Sequence, residues 1–125
     1  FMSPSRVVLG SSDSKAIELL KELYKPLRVP MHCLSTNGAE FSKYLSNVML
    51  TTMISFSNEL AHAAKCFGDI DIVKTFEALH DDFRLRNAGI ASYIYPGCGY
   101  GGYCLPKDIQ AFTTALGTVG YNSVM

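Results

Sequence analysis

Residues 37–69 read NGAEFSKYLSNVMLTTMISFSNELAHAAKCFGD, a stretch with no proline whose only glycines stand near its two ends. Nothing inside it breaks a helix, and an unbroken helix from Ala39 to about Phe67 would be roughly 43 Å long at 1.5 Å per residue. Its apolar side chains do not keep to one stripe: Phe41, Leu45, Val48, Met49, Leu50, Met53, Ile54, Phe56 and Leu60 surround the axis. A helix apolar nearly all round is buried on several sides. A domain of this size can hardly cover such a helix alone, so a partner chain or domain is implied.

Upstream, RVVLG (Arg6 to Gly10) reads as a short buried strand closed by glycine. The following SSDS supplies N-cap candidates, and Ile17, Leu20, Leu23 and Tyr24 recur at helical spacing until Pro26. VPMHCLS (Val29 to Ser35) is a second strand candidate. Strand, helix, strand is a βαβ fragment, too short to form a sheet of its own. Downstream, DIDIVKTFEALHDDF is a helix capped by Asp69 or Asp71, with Ile72, Val73, Phe76 and Leu79 on its apolar face. RLRNAGIASYIYPGCGYGGYC has no helical period and reads as loop. LPKDIQAFTTALGTVGY is a last helix, with Pro106 and Asp108 in its first turn and Gly117 or Gly120 at its end. The expected fold is mainly α, a long central helix in a dimerisation-type helical domain, with a short βαβ remnant of an α/β Rossmann-like domain at the N-terminus.

Composition narrows the partners. The 125 residues carry eleven basic and eleven acidic side chains, so a basic surplus for nucleic acid or an anionic membrane is missing. No apolar run approaches the ~20 residues of a membrane span, and the first residues lack the basic start of a signal peptide. A soluble cytoplasmic protein is expected. Four cysteines and three histidines invite a metal, but CxxC, HxxxH and paired helical histidines are all missing, so no metal site is expected. The cysteine density is also too low for a disulfide framework. The histidines read as incidental, with His62 a partly buried polar residue of the long helix.

The chemistry concentrates in YPGCGYGGYCLPKD, Tyr95 to Asp108. Gly97, Gly99 and Gly102 formally satisfy G-x-G-x-x-G ahead of a helix. A dinucleotide loop must follow a strand and meet an acidic residue ~20 positions later. Pro96 interrupts the preceding segment and no Asp or Glu follows Asp108, so the match is a decoy. Cys104 stands at the start of the last helix with Lys107 close by, and unpaired N–H groups together with a cation favour a thiolate. The bland alternative, a small buried cysteine after a turn-rich loop, stands beside it on equal terms. On the long helix Lys43 and Asn47, at i and i+4, share a face. Burying them needs something polar to meet them; a solvated helix start is the plainer reading of that pair.

Glu40, Lys43 and Asn47, then Ile54-Ser55-Phe56 with Asn58 and Glu59, then Asp82 and Arg84, then Gly101, Gly102, Cys104, Lys107 and Asp108 follow one another in an order with a known counterpart. The stretch from about Ala39 to Phe112 resembles the central domain of the UDP-glucose 6-dehydrogenase and GDP-mannose dehydrogenase family. The first third resembles, with weaker motifs, the end of that family's N-terminal NAD-binding domain. The resemblance implies a division into residues 1–37, the tail of the NAD-binding domain, and 38–125, the central helical domain. It also implies oxidation of a sugar C6 alcohol to a carboxylate with NAD as cofactor, in the service of polysaccharide biosynthesis. Cys104 would form a thiohemiacetal and then a thioester; Lys43 and Asn47 would stabilise oxyanions, and Asp108 would assist the hydrolytic water as a base or by orienting it. Arg84 and the Gly99, Tyr100, Gly101, Gly102 backbone would contact the nucleotide sugar, and Lys107 would lie near the cofactor. A homodimer through the long helix is implied as well. Catalysis by these residues alone is not expected, because they cannot build an NAD pocket. The rival expectation is a non-catalytic helical dimerisation module; Lys43, Asn47, Cys104 and Asp108 together favour the enzyme.

Overall fold

A computed structural model describes residues 3–121. They form two compact units that meet in sequence between Leu45 and Ser46. The chain runs β1 (Val7–Gly10), α1 (Ser14–Tyr24), a 3-10 helix (Lys25–Leu27), β2 (Met31–Leu34), α2 (Thr36–Ala64), α3 (Ile72–His80), a second 3-10 helix (Gly89–Tyr93) and α4 (Cys104–Thr118). The mainly α fold with a long central helix and a small parallel βαβ start is as the sequence led us to expect.

In the first unit β1 and β2 do pair, in parallel, with Val7 opposite Met31 and Gly10 opposite Leu34. The sequence reading had allowed the fragment no sheet; two strands joined through α1 suffice for a minimal one. Asp13 caps α1, its carboxylate accepting from the Lys15 amide at 2.8 Å. Pro26 does not stop the chain abruptly but sits in the 3-10 turn after α1, where its missing N–H leaves no partner stranded. Leu9 and Ile17 are the buried apolar side chains here. Gly10 is required by contact: a Cβ on it would lie 2.6 Å from Ala39 Cβ at the start of α2.

α2 begins three residues earlier than Asn37-Gly38 led us to expect, because Ser35 caps it. The Ser35 hydroxyl accepts from the Gly38 amide at 3.1 Å, and its carbonyl from Ala39 at 2.9 Å. Glycine in a first turn is tolerable once that cap holds the turn. At the other end the helix tightens, with Lys65, Cys66 and Phe67 bonding three residues back before Gly68 turns left-handed at φ +94°. The long helix thus runs Thr36–Ala64, three residues toward the N-terminus of the expected Ala39 to Phe67, and the chain leaves it through a tight turn at 65–67.

In the second unit the buried positions of α2 are Val48, Thr51 and Ser57. Both hydroxyls are satisfied along their own helix at 2.8 Å, by the carbonyls of Asn47 and Met53. Asp71, of the two candidates, caps α3. Phe76 is the buried anchor of α3 and meets Tyr95 edge-on at 5.9 Å. The segment read as loop holds the 3-10 helix Gly89–Tyr93, a tight turn too short to show a helical period. α4 closes at Val119 with Gly120 at φ +74°, where the Tyr121 amide returns to Leu116 and that of Gly120 to Gly117. That paired return satisfies the last carbonyls and explains why Gly120, not Gly117, ends the helix. The apolar coverage of α2 is not all buried: Leu45, Met49, Phe56 and Leu60 form an exposed stripe at helical spacing.

Candidate active site

α4 opens with Cys104 itself, and Pro106 occupies its third position, where an N–H has no helical partner to lose. The Cys104 thiol is free and exposed. One turn on, Asp108 is the opposite case, with none of its surface exposed. An isolated buried carboxylate is costly, so its partners matter. Asn47 Nδ2 of α2 donates to Asp108 Oδ2 at 2.5 Å, and Lys107 Nζ donates to Oδ1. Both oxygens are thus held by donors, one of them a cation, which is what a buried anion requires. Lys107 also stands over the Tyr103 ring, 5.9 Å from its centroid. Sixty-one residues apart in sequence, Asn47 and Asp108 are brought together by the fold.

Lys43 lies one turn before Asn47 on α2, in the first unit, its ammonium 5.4 Å from the centroid of the Tyr44 ring. Arg84 is exposed and its guanidinium is fixed flat against Asp82: Nε donates to Oδ1 at 2.9 Å and Nη2 to Oδ2 at 2.7 Å. The Arg84 amide donates to Oδ1 as well, at 2.9 Å. These hydrogen bonds hold the Asp82 carboxyl at about 2, below its ordinary 3.8, and the same pairing pushes the Arg84 guanidinium up.

The glycine-rich segment is exposed, with Gly99 and Gly102 left-handed at φ +95° and +78°. A side chain at either would strain the backbone although the space around them is open. With Ser55, Asn58, Glu59 and His62 of α2, the Gly97–Tyr100 backbone frames an open cleft of about 610 Å³. A neighbouring cleft of about 410 Å³ lies between Thr51, Thr52 and Ser55 of α2, Tyr100 and Ile109. Two residues to which the sequence reading gave no role act here. Asn58 Oδ1 accepts from the Gly97 amide at 2.9 Å, and His80 Nε2 bonds the Ile94 carbonyl at 2.6 Å. Asn58 was visible as part of a motif, but its partner, 39 positions away, was not. His62 is exposed at the cleft rather than partly buried.

All four cysteines are free, and no group of three or more histidine, cysteine or acidic side chains among the described residues is arranged for a metal. No helix among them is long and apolar enough to cross a membrane.

Residues 37–125 match the central domain of one family, named for UDP-glucose and GDP-mannose dehydrogenases. The chain belongs to that family. Among curated members, the UDP-glucose 6-dehydrogenase of Pseudomonas aeruginosa is 39% identical over 98% of the chain and 27% of its own length. The GDP-mannose 6-dehydrogenase of the same organism is 34% identical over 88% of the chain and 24% of its own length. The chain thus spans about a quarter of the length of these relatives. A UDP-glucose dehydrogenase structure from Pyrobaculum islandicum superposes with a TM-score of 0.84 at 37% identity, over 97% of the chain and 27% of that protein. A ternary complex of GDP-mannose dehydrogenase from Pseudomonas aeruginosa gives 0.56 at 31% identity, over 95% and 27%.

A dehydrogenase family implies a nicotinamide cofactor, and the described residues of this family member do not fit a dinucleotide by themselves. The Gly97–Gly102 segment follows a 3-10 helix, not a strand. At the other candidate, the β1–α1 turn, the helix N-terminus that would receive a pyrophosphate is filled by the carboxylate of Asp13.

Proposed function

We propose that this chain is the cysteine-bearing central segment of a nucleotide-sugar 6-dehydrogenase, acting on UDP-glucose or a similar substrate, with residues 1–37 the tail of an NAD-binding domain and 38–125 the helical domain. The observation that carries it is the pairing of an exposed thiol with a fully buried carboxylate one turn along the same helix, the latter held by Asn47 and Lys107. A packing module has no use for a buried anion ligated in this way.

In this reading NAD, bound outside these residues, would supply the oxidising power for two steps, alcohol to aldehyde and thiohemiacetal to thioester. Their own work begins with Cys104. The thiolate sulfur adds to the C6 aldehyde carbon, and the carbonyl electron pair moves to oxygen, where the Lys43 ammonium and the second Asn47 Nδ2 hydrogen stabilise it. After oxidation the carbon remains joined to sulfur as a thioester. Water adds to that carbon, the C–S bond breaks, and the carboxylate leaves Cys104 as thiolate. The complete burial of Asp108 favours the orienting role over direct proton abstraction: it fixes the Asn47 amide and the Lys107 ammonium that border the reacting carbon. Lys107 is assigned to the cofactor side of the site, with Asp108 holding it there. The Gly99–Gly102 backbone wraps the sugar nucleotide, and Arg84, held rigid by Asp82, contacts substrate as its matching motif implies.

The test is a dehydrogenase of full family length carrying this chain. Cys104→Ser abolishes turnover to the acid while substrate binding is kept. Asp108→Asn slows thioester hydrolysis, so that an acyl adduct on Cys104 is found by mass spectrometry after a burst of NADH. An adduct on Cys98, or full turnover by Cys104→Ser, rejects the assignment.

A second reading, a helical dimerisation module, has the exposed Leu45, Met49, Phe56 and Leu60 stripe in its favour. We assign that stripe to a homodimer of the enzyme in the cytoplasm, so the two readings differ in chemistry and not in assembly.

A further inference from the structure

We propose that Asn58 is a positioning residue for the glycine-rich loop, the tether that sets where the segment between Gly97 and Gly102 lies. The proposal rests on the reading of Gly99–Gly102 as the backbone that wraps the nucleotide sugar. Between Cys98 and Gly102 the described residues show no hydrogen bond at all, and a Cβ placed at Gly97, Gly99, Gly101 or Gly102 would meet nothing within 4 Å. Apart from the Tyr100 side chain, which borders both clefts against α2, this backbone is held at its ends. One end is α4, entered at Cys104; the other is the Gly97 amide on Asn58 Oδ1 at 2.9 Å. The tether is itself fixed, because Asn58 Nδ2 donates to the Ile54 carbonyl at 2.9 Å, which sets which end of the carboxamide faces Gly97. Asn58 is also half-buried on α2, so its rotamer has little freedom.

The same bond forms the wall between two clefts: Asn58 and Gly97 line both the opening of about 610 Å³ toward Tyr100 and the one of about 340 Å³ toward Pro96. Without the bond, the loop is free to fill either side. The expected consequence is selective: the loop must be ordered anew each time substrate binds, so affinity falls more than the rate of the bound complex.

The experiment has two arms, each with Asn58→Leu, which removes the acceptor, and Asn58→Asp, which keeps an oxygen facing Gly97. In this chain, hydrogen exchange at the Gly97 amide is measured by NMR. Asn58→Leu accelerates it by about tenfold or more, the worth of one net hydrogen bond, and Asn58→Asp restores protection at low pH, where its protonated carboxyl both accepts from Gly97 and donates to the Ile54 carbonyl. In the full-length dehydrogenase, Asn58→Leu raises KM for the nucleotide sugar about tenfold with kcat within a few-fold, and Asn58→Asp, which loses the donor to Ile54, recovers only part of it. Equal Gly97 exchange in wild type and Asn58→Leu overturns the tether, as does a fall in kcat with KM unchanged. A wild-type enzyme that turns over no nucleotide sugar instead removes the functional reading, and the exchange arm alone then decides the tether. Should Asn58→Leu fail to fold, the exchange rate in Asn58→Asp at low pH decides: lost protection there, with both the acceptor for Gly97 and the donor for Ile54 in place, refutes the proposal.

Discussion

Asn47→Leu is the perturbation that most directly weighs the buried cluster. Leucine keeps the branched outline of asparagine, though it is bulkier, and removes the donor to Asp108 Oδ2, while the Thr51 hydroxyl continues to hold the carbonyl of residue 47. A hydrogen bond to a charged group contributes about 1.5–3 kcal/mol net, and Asp108 has no surface through which water could replace it. Lys107 still serves the other oxygen, so the lower half of that range applies, about 2 kcal/mol. For a unit the size of Ser46–Met125 this lowers Tm by roughly 8–16 °C. Urea unfolding followed by far-ultraviolet circular dichroism gives the loss in free energy, with an unchanged slope if only the native state is affected. The cycle is closed with Asp108→Leu. Alone, it strands the Asn47 amide and deprives Lys107 of its anion; combined with Asn47→Leu it leaves an apolar contact, with Lys107 able to reach water because its side chain is 44% exposed. The double variant should therefore recover at least ~1 kcal/mol over the sum of the two losses. Additivity within ~0.5 kcal/mol, or a loss for Asn47→Leu no larger than that, would refute the claim that Asn47 holds a buried anion.

Other consequences can be read singly. Gly10→Ala drives a methyl into Ala39, whose Cβ has no rotamer to yield, and destabilises the first unit by about 1–3 kcal/mol in the same unfolding assay; a neutral result contradicts the contact. The Asp82 carboxyl should titrate near 2 in a carbon-detected NMR titration. Because its folded value lies below the ordinary 3.8, the stability it adds is fully present above about 3.8 and is lost as pH falls through about 2, releasing Arg84; a midpoint near 4 would show the pair is not formed. Cys98→Ser should leave turnover of the full-length enzyme unchanged, since the chemistry is assigned to Cys104. Sedimentation should show self-association that Phe56→Glu weakens, and a folded monomer at micromolar concentration would count against α2 as the interface.

Much of this protein was legible in one dimension because it depends on neighbours in sequence. The absence of proline between Asn37 and Asp69 and the apolar content of that stretch are local facts, and they specify a helix whatever surrounds it. Aspartates at helix starts, Pro106 in a first turn and Gly120 at a helix end act within one turn, so caps and limits were close at hand. The spacing of Lys43 and Asn47, and of Cys104 and Asp108, follows from helix geometry alone. Where the reading stopped short, the missing partner lay far along the chain. Strand pairing depends on α1 returning Met31 beside Val7. In sequence Asp108 is a charge in the first turn of a helix, and only the tertiary structure removes all its surface and makes Asn47 its ligand. Asn58 and Gly97 could not be paired from spacing, since neither helical nor strand periodicity relates residues so far apart. Burial and long-range hydrogen bonding are properties of the closed chain, because a polar group's energy is set by whether water or a fixed donor reaches it, and sequence order does not determine which.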